Sequence, residues 1–218
     1  MTPVLNSDLR GQFGDVRDQF ARPTCLAFAA SDTHAAARKT QLEPLCCEYL
    51  YYHSLQSKGL KPGQGTTADG VIAALASPGQ PYESAWPYSA VEPSPATWIP
   101  PLISGELFCC KANLIIPSDS VPMIVDQLSA GKVVIILMSL STAFYKPSSS
   151  AIIQGNEAID SAIRHAVIAV GHGAYNSRQF VLIRNSWGIA WGDKGYAWVS
   201  SDYLSPRILG LIMLEEIP

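Results

Sequence analysis

The chain has 218 residues, of which 48% are hydrophobic and 15% charged, and its formal net charge at pH 7 is −3. This composition is typical of a globular protein with a buried core and excludes a predominantly disordered chain. The basic residues are scattered rather than clustered, so we expect neither a nucleic-acid partner nor binding to an anionic membrane.

The N-terminal segment, MTPVLNSDLRGQFGDVRDQF, lacks a basic start followed by an apolar stretch of signal-peptide length. No later apolar run is long enough to span a bilayer. The cysteines are odd in number and lack the spacing of a secreted disulfide framework; they are Cys25, Cys46, Cys47, Cys109 and Cys110. We therefore expect a cytoplasmic location, or delivery into another cell without a secretory signal peptide.

The first half of the chain is predicted to be mainly helical. Residues 24–39 (TCLAFAASDTHAAARK) are rich in alanine and contain no glycine or proline, which indicates a helix that begins at or near Cys25. Further helices are expected from about Pro44 to Lys58 and from Ala68 to Ala76. Prolines and aromatic residues alternate between about Pro78 and Pro101, which favours a long irregular segment.

The second half is predicted to be rich in strands. An amphipathic helix is expected from Val121 to Ala130, followed by turn-bounded β segments in KVVIILMSL, VIAVGHG, QFVLIRNSW and GYAWVS. A helical half followed by a strand-rich half predicts an α+β fold of two packed lobes, about 12–117 and about 118–218, with a cleft where they meet. Ser148–Ser150 is expected in a surface loop.

Three polar residues of catalytic types fall in three separate predicted elements. Cys25 lies at a helix start, where the helix dipole favours a thiolate. His165 lies immediately before an apolar strand, and Asn185 follows another strand. Considered singly, they also fit a buried thiol, a core histidine and a turn former. Their order and separations, 140 residues (165 minus 25) and 160 residues (185 minus 25), suit a nucleophile, base and orienting amide assembled across a cleft.

Four longer motifs surround these positions: VRDQFARPTCLAFA around Cys25, WPY at Trp86–Tyr88, HAVIAVGHG around His165 and NSWGIAWGDKGY around Asn185. Together, from about Asp15 to the C-terminus, they resemble the papain family of cysteine peptidases. The resemblance implies a papain-like two-lobe fold, with a mainly helical N-terminal lobe, a C-terminal antiparallel β-barrel-like lobe and the active-site cleft between them. The pattern looks like that of a bacterial member without a propeptide.

The resemblance also assigns catalytic roles. It implies that Cys25 attacks a peptide carbonyl, that His165 is the general base and that Asn185 orients the imidazole. It implies a thiolate–imidazolium pair between Cys25 and His165, and an oxyanion hole built from the Gln19 side chain and the Cys25 backbone amide. Trp187 would shield the bond between His165 and Asn185 from water. The implied activity is hydrolysis of polypeptide substrates through a thioester acyl-enzyme, without a cofactor or metal.

The same resemblance implies a set of substrate-binding residues. The backbone at Gly65 and Thr66 would meet an extended substrate, and Trp187 would lie beside it. An apolar side chain on the substrate residue before the cleaved one would fit a pocket lined by Ala68, Ile136, Ile163 and Ala166.

The nucleophile motif departs from the family pattern at Arg22-Pro23-Thr24, where the family usually has Cys-Gly-Ser. Without a cysteine at position 22, the disulfide that commonly ties this loop is absent, which leaves Pro23 to stiffen it. The departures leave open a catalytically impaired binding module. A second alternative is an amidase, transpeptidase or isopeptidase that uses the same three residues on another carbonyl. Without a propeptide, we expect an inhibitory or regulatory protein partner. Glu48 is expected on a solvated face.

Overall fold

The computed structural model describes residues 3–40, 43–155 and 157–215. Backbone contacts divide the chain into two compact units. The sheet unit consists of the described residues within Met1–Gly11, Asp15–Asp18 and Ile115–Met213, and the helical unit of those within Gln12–Gly14, Gln19–Leu114 and Leu214–Pro218. The N-terminal segment therefore belongs with the second half of the chain, an arrangement that the sequence pattern did not indicate.

The helical unit contains three α-helices, a short 3-10 turn and a strand: α1 (Cys25–Ala37), α2 (Cys47–Gln56), α3 (Ala68–Ala76), the turn Glu83–Ala85 and β2 (Ala112–Ile115). The structure confirms that α1 begins at Cys25 and that α3 has the predicted bounds. The second helix begins later than predicted because Leu45 pairs with Tyr82 in an isolated β-bridge. The Cys46 sulfur then caps α2 by accepting from the Tyr49 amide.

Helix α1 is buried around most of its circumference. Ten of its 13 residues are buried, including five alanines whose small side chains let neighbouring segments approach closely. Ala27 and Phe28 of α1 pack with Tyr51 and Leu55 of α2 and with Trp98. The nucleophile candidate thus begins a helix that the core of its unit holds in place.

The sheet unit contains seven strands and three helices: β1 (Val4–Asp8), α4 (Ser120–Ser129), β3 (Val134–Leu140), α5 (Thr142–Tyr145), β4 (Ile152–Ile153), β5 (Asp160–Tyr175), β6 (Arg178–Arg184), β7 (Tyr196–Ser200), α6 (Ser201–Leu204) and β8 (Ile208–Leu214). The strand order is β8-β3-β5-β6-β7-β4, and β1 also pairs with β5. All of these pairs are antiparallel except β4 with β7. The fold is α+β, as predicted.

Strand β5 is longer than the sequence suggested. Its first five residues are exposed and its next nine are buried, so only the second part carries the apolar run that marks a strand in the sequence. His165 consequently lies within β5, and the prediction that it precedes a strand was wrong. The buried half of β5 contributes Val167 and Ala169 to the core of the sheet unit, together with Ile136 from β3 and Ile183 from β6.

The helices are short, the longest being α1 with 13 residues. No helix in the described ranges is both long and apolar enough to cross a membrane.

Candidate active site

Cys25 is the first residue of α1 and is half-buried. The first turn of a helix presents backbone N–H groups and the positive end of the helix dipole, which favour negative charge at this position. None of the five cysteines, all of which lie within the described ranges, forms a disulfide bond. Cys109 is exposed, whereas Cys46, Cys47 and Cys110 are buried.

Gln19 lies in the turn that leads into α1, and only 6% of its surface is exposed. Its side-chain Nε2 donates to the Arg22 carbonyl oxygen at 2.8 Å. The Arg22 backbone N–H donates back to the Gln19 carbonyl at 3.3 Å, and the Thr24 N–H donates to the Arg22 carbonyl at 2.9 Å. The backbone and side chain of Gln19 are therefore held by the same turn that ends at the nucleophile candidate.

His165 and Asn185 form a buried hydrogen-bonded pair in the sheet unit. His165 lies opposite Met138 of β3, and Asn185 directly follows β6. The distance from His165 Nε2 to Asn185 Oδ1 is 2.7 Å. The Ser186 backbone N–H donates to the same Asn185 atom at 2.9 Å, which identifies that atom as the amide oxygen. His165 Nε2 therefore carries a hydrogen, and Nδ1 is the basic nitrogen of the neutral ring.

The surroundings of His165 keep its imidazole neutral. Burial lowers the pKa of His165 to about 4, although the Asn185 hydrogen bond opposes the shift. At neutral pH the ring is consequently a base ready to accept a proton. Burial therefore disfavours the imidazolium that the family resemblance implies, and the Asn185 hydrogen bond favours it.

Aromatic side chains enclose this pair. The ring centroids of Trp187 and His165 lie 4.7 Å apart, and those of Phe144 and His165 lie 5.7 Å apart. Tyr145 stacks on Trp187 with centroids 5.3 Å apart and planes inclined by 17°. These rings reduce the access of water to the imidazole and strengthen its hydrogen bond. Phe144 and Tyr145 were not predicted as site residues, because their only signal in the sequence is an aromatic pair shortly after a predicted strand.

The positions of glycine and tryptophan in the motif after Asn185 follow from the backbone geometry of that segment. The Asn185 N–H donates to the Gly195 carbonyl at 3.0 Å, which closes the segment into a loop. Gly192 has φ +60°, and a Cβ added there would overlap the Tyr196 carbonyl oxygen. Trp191 packs in the core of the sheet unit and donates from Nε1 to the Phe144 carbonyl at 3.0 Å. The glycine and tryptophan positions of the motif thus fix the backbone that presents Asn185.

The predicted substrate-binding residues of the helical unit lie near its surface. Gly65 has φ +74° and faces Pro23, whose carbonyl oxygen would lie 3.6 Å from an added Cβ. The Thr66 hydroxyl donates to Ser54 Oγ at 2.8 Å. Ala68 begins α3 and is half-buried.

The predicted substrate-binding residues of the sheet unit differ in exposure. Ile163 is 37% exposed on β5, whereas Ala166 is 2% exposed. Ile136 has no exposed surface and packs in the core of the unit. This burial argues against the prediction that Ile136 lines a pocket, because inward-facing residues of β3 form the core. Trp187 is half-buried beside His165.

Glu48 corrects a sequence expectation, since it is 1% exposed rather than solvated. Its carboxylate pairs with the buried guanidinium of Arg22 at 2.6 Å. No sequence signal links residues 26 positions apart on a loop and a helix, so this pair was not anticipated.

The comparison with protein families matches residues 6–205 to a model described as papain family cysteine protease. Cathepsin K of Gallus gallus is 27% identical over 212 residues, which cover 96% of this chain and 61% of that protein. A cysteine protease of Blomia tropicalis is 26% identical over 202 residues, covering 87% of this chain and 58% of that protein. The chain thus spans less than two thirds of the length of these relatives.

Solved structures show the same fold. Xylellain, a cysteine protease from Xylella fastidiosa, has a TM-score of 0.79 and 20% identity, with coverage of 100% of this chain and 91% of that one. The Carica candamarcensis cysteine protease CMS1MS2, in complex with E-64, has a TM-score of 0.73 and 21% identity, with coverage of 97% and 98%. At these identities the likeness establishes a papain-like α+β fold.

Proposed function

Because the chain belongs to the papain family of cysteine proteases, we propose that it hydrolyses peptide bonds through a thioester acyl-enzyme formed on Cys25. The observation that carries the proposal is the buried pair of His165 and Asn185, with 2.7 Å between Nε2 and Oδ1. Because Nε2 is occupied by this bond, the basic Nδ1 of the neutral imidazole is left to accept the proton of a nucleophile. Cys25, at the start of a buried helix, is the nucleophile that the family motif assigns.

In the first step, His165 Nδ1 takes the proton of the Cys25 thiol and the sulfur attacks the substrate carbonyl carbon. The carbonyl π electrons move to oxygen, where the Gln19 side chain and the Cys25 backbone N–H donate to the developing charge. The intermediate then collapses, the C–N bond breaks and His165 gives its proton to the leaving amine. The product is a thioester between the substrate acyl group and Cys25.

In the second step, His165 Nδ1 takes a proton from water, whose oxygen attacks the thioester carbonyl. The C–S bond breaks, the acid product leaves and the sulfur regains its proton through His165. Asn185 supports both steps because its oxygen holds the Nε2–H whether the ring is neutral or protonated. The proposal requires the Cys25 sulfur and His165 Nδ1 to come within about 3–3.5 Å of each other during the reaction.

We propose further that the enzyme prefers an apolar substrate residue before the one that is cleaved. The exposed part of the apolar Ile163 side chain supports this preference. We expect Ile163→Glu to lower kcat/KM for leucine at this substrate position and to raise it for lysine or arginine, because the new carboxylate attracts a basic side chain. Ile116→Glu, at an isoleucine that is 76% exposed in the same unit, is the matched control. Equal profiles for the two variants would contradict the preference.

The activity is tested by profiling cleavage of a peptide library with the unaltered protein and with Cys25→Ala. We expect new C-terminal carboxylates from the unaltered protein and none from the variant. Ligated products in the presence of added amines would instead indicate a transpeptidase. Cleavage that persists in Cys25→Ala, or no turnover of peptides by the unaltered protein, would contradict the proposal.

A further inference from the structure

The loop that precedes the nucleophile candidate contains a fully buried guanidinium. Arg22 lies three residues before Cys25, and only 1% of its side chain is exposed. A buried charge is costly unless a partner compensates it, so a protein that keeps one here must satisfy it closely. The whole arrangement lies within the helical unit.

Glu48 of α2 supplies the main partner. Its side chain is 2% exposed, and its two carboxylate oxygens accept from Arg22 Nη1 at 2.6 Å and from Nη2 at 2.9 Å. Trp98 Nε1 donates to Glu48 Oε1 at 2.7 Å and thereby fixes the carboxylate. A bidentate pair of this kind fixes direction as well as distance.

The remaining contacts of Arg22 complete its enclosure. Nη1 also donates to the Ser89 carbonyl at 2.7 Å, and Nε lies 3.3 Å from Glu92 Oε2. The Tyr88 and Tyr51 ring centroids lie 4.7 Å and 5.5 Å from the guanidinium carbon. Burial alone would lower the pKa of Arg22, but the hydrogen bonds and charge of Glu48 raise it well above its ordinary value.

The backbone of Arg22 connects this network to the proposed oxyanion hole. Its carbonyl accepts the Gln19 side-chain amide at 2.8 Å. The Tyr88 hydroxyl donates to the Gln19 carbonyl at 2.8 Å, so the Thr24 hydroxyl, 2.8 Å from Tyr88 Oη, is the donor in that contact. The Tyr88 hydroxyl therefore ties the turn at both ends, Gln19 and Thr24, and the Arg22 side chain anchors the position between them.

We propose that Arg22 is a positioning residue, whose buried ion pair with Glu48 sets the turn that aims the Gln19 amide and the Cys25 backbone N–H at the substrate oxyanion. The inference rests on the proposed peptidase function. In this chain an ion pair anchored on α2 restrains the loop that precedes the nucleophile. The pair acts on catalysis through Gln19 and has no contact with substrate of its own.

Two reactions of Cys25 separate this role from a general effect on folding. Peptide hydrolysis passes through an oxyanion, whereas alkylation by iodoacetamide displaces iodide from a tetrahedral carbon and forms none. The alkylation rate therefore depends on the Cys25 thiol and its base alone. The kcat for a peptide depends on these groups and also on the oxyanion donors. Each variant is measured for both, together with KM and thermal unfolding.

The main variant is the double substitution Arg22→Met with Glu48→Met, which removes both charges and leaves neither unpaired. We expect kcat for a peptide to fall by at least about 10-fold, with KM and the alkylation rate little changed. Arg22→Lys keeps a positive charge but loses the bidentate geometry. We therefore expect its kcat to lie between that of the unaltered protein and that of the double variant. The matched control is Asp8→Met with Arg10→Met, since that bidentate pair is partly exposed on the sheet unit.

An unchanged kcat in the folded double variant would overturn the inference, and so would an alkylation rate that falls as far as kcat. If the double variant does not fold, Arg22→Lys decides, and an unchanged kcat in that variant overturns the inference. If the unaltered protein alkylates but does not turn over peptides, the proposed function fails and the inference fails with it. Turnover by the unaltered protein and equal turnover by the variants refute the inference alone.

Discussion

Asn185 controls His165 through a single atom. Its Oδ1 accepts from both His165 Nε2 and the Ser186 backbone N–H, so the amide cannot rotate without losing two hydrogen bonds. The resulting tautomer leaves the proton-accepting nitrogen on the other side of the ring. The same bond opposes the effect of burial on the pKa of His165.

Replacing Asn185 should therefore reduce catalysis more than folding. We expect Asn185→Ala to lower kcat by about 10- to 100-fold, since the imidazole loses the partner that orients it. Asn185→Asp retains an oxygen acceptor and should keep more of the activity, with the acid limb of its pH profile altered by the added charge. Steady-state kinetics across pH distinguish the two variants. Equal activity of Asn185→Ala and the unaltered protein would show that the bond has no role in turnover.

The sequence predicted those parts of the site that local patterns encode. The helix start at Cys25 and the strand before Asn185 follow from composition and periodicity, and the structure has both. The burial of Glu48 did not follow, because its partner Arg22 lies 26 residues away and is brought to it only by tertiary packing. Likewise, β1 is largely exposed and lacks an apolar pattern, so its pairing with β5 left no local signal.

The loop after β6 depends on a glycine, Gly192. Gly192 combines φ +60° with close approach to the Tyr196 carbonyl oxygen. The loop it closes carries the hydrogen bond from the Asn185 N–H to the Gly195 carbonyl. Strain at Gly192 would consequently reach the residue that orients His165.

Gly192→Ala should destabilise the protein and lower its activity together. Gly131 is a matched control because it has φ +78° but no atom within 4 Å of an added Cβ. Gly131→Ala should cost only the conformational strain of a left-handed residue, about 1–2 kcal/mol. Gly192→Ala should cost more, because the carbonyl must also move. Urea unfolding of the two variants makes the comparison, and equal losses of stability would contradict this account.

Buried histidines make the stability of the whole protein sensitive to acid. Burial lowers the pKa of His34 to about 4 despite the hydrogen bond with Gln80, and His165 behaves similarly. These pKa values lie below the ordinary histidine value of about 6.5. Between about pH 4 and pH 6.5 the unfolded chain therefore binds more protons than the folded protein. The stability contributed by the neutral rings is therefore present above about pH 6.5 and is lost as the pH falls towards 4.

The variant His34→Asn tests the contribution of His34 to this pH dependence of stability. His34 is fully buried, its Nδ1 lies 3.0 Å from Gln80 Oε1, and its Nε2 has no hydrogen-bond partner among the described residues. The asparagine keeps a donor for Gln80 but does not titrate. We expect the variant to be less stable than the unaltered protein at pH 7 and the difference to narrow as the pH falls from 6.5 to 4. Parallel curves of unfolding free energy against pH would refute the assignment.

In the proposed mechanism Cys25 is a nucleophile activated by His165, and site-resolved alkylation measures this activation at the sulfur itself. Iodoacetamide labelling at neutral pH, read by mass spectrometry of the peptides, compares Cys25 with the exposed thiol of Cys109 in the same molecule. We expect Cys25 to react faster than Cys109 although it is less exposed, and we expect His165→Ala to abolish this advantage while the Cys109 rate stays unchanged. Slower labelling of Cys25 than of Cys109, or a Cys25 rate unaffected by His165→Ala, would contradict it.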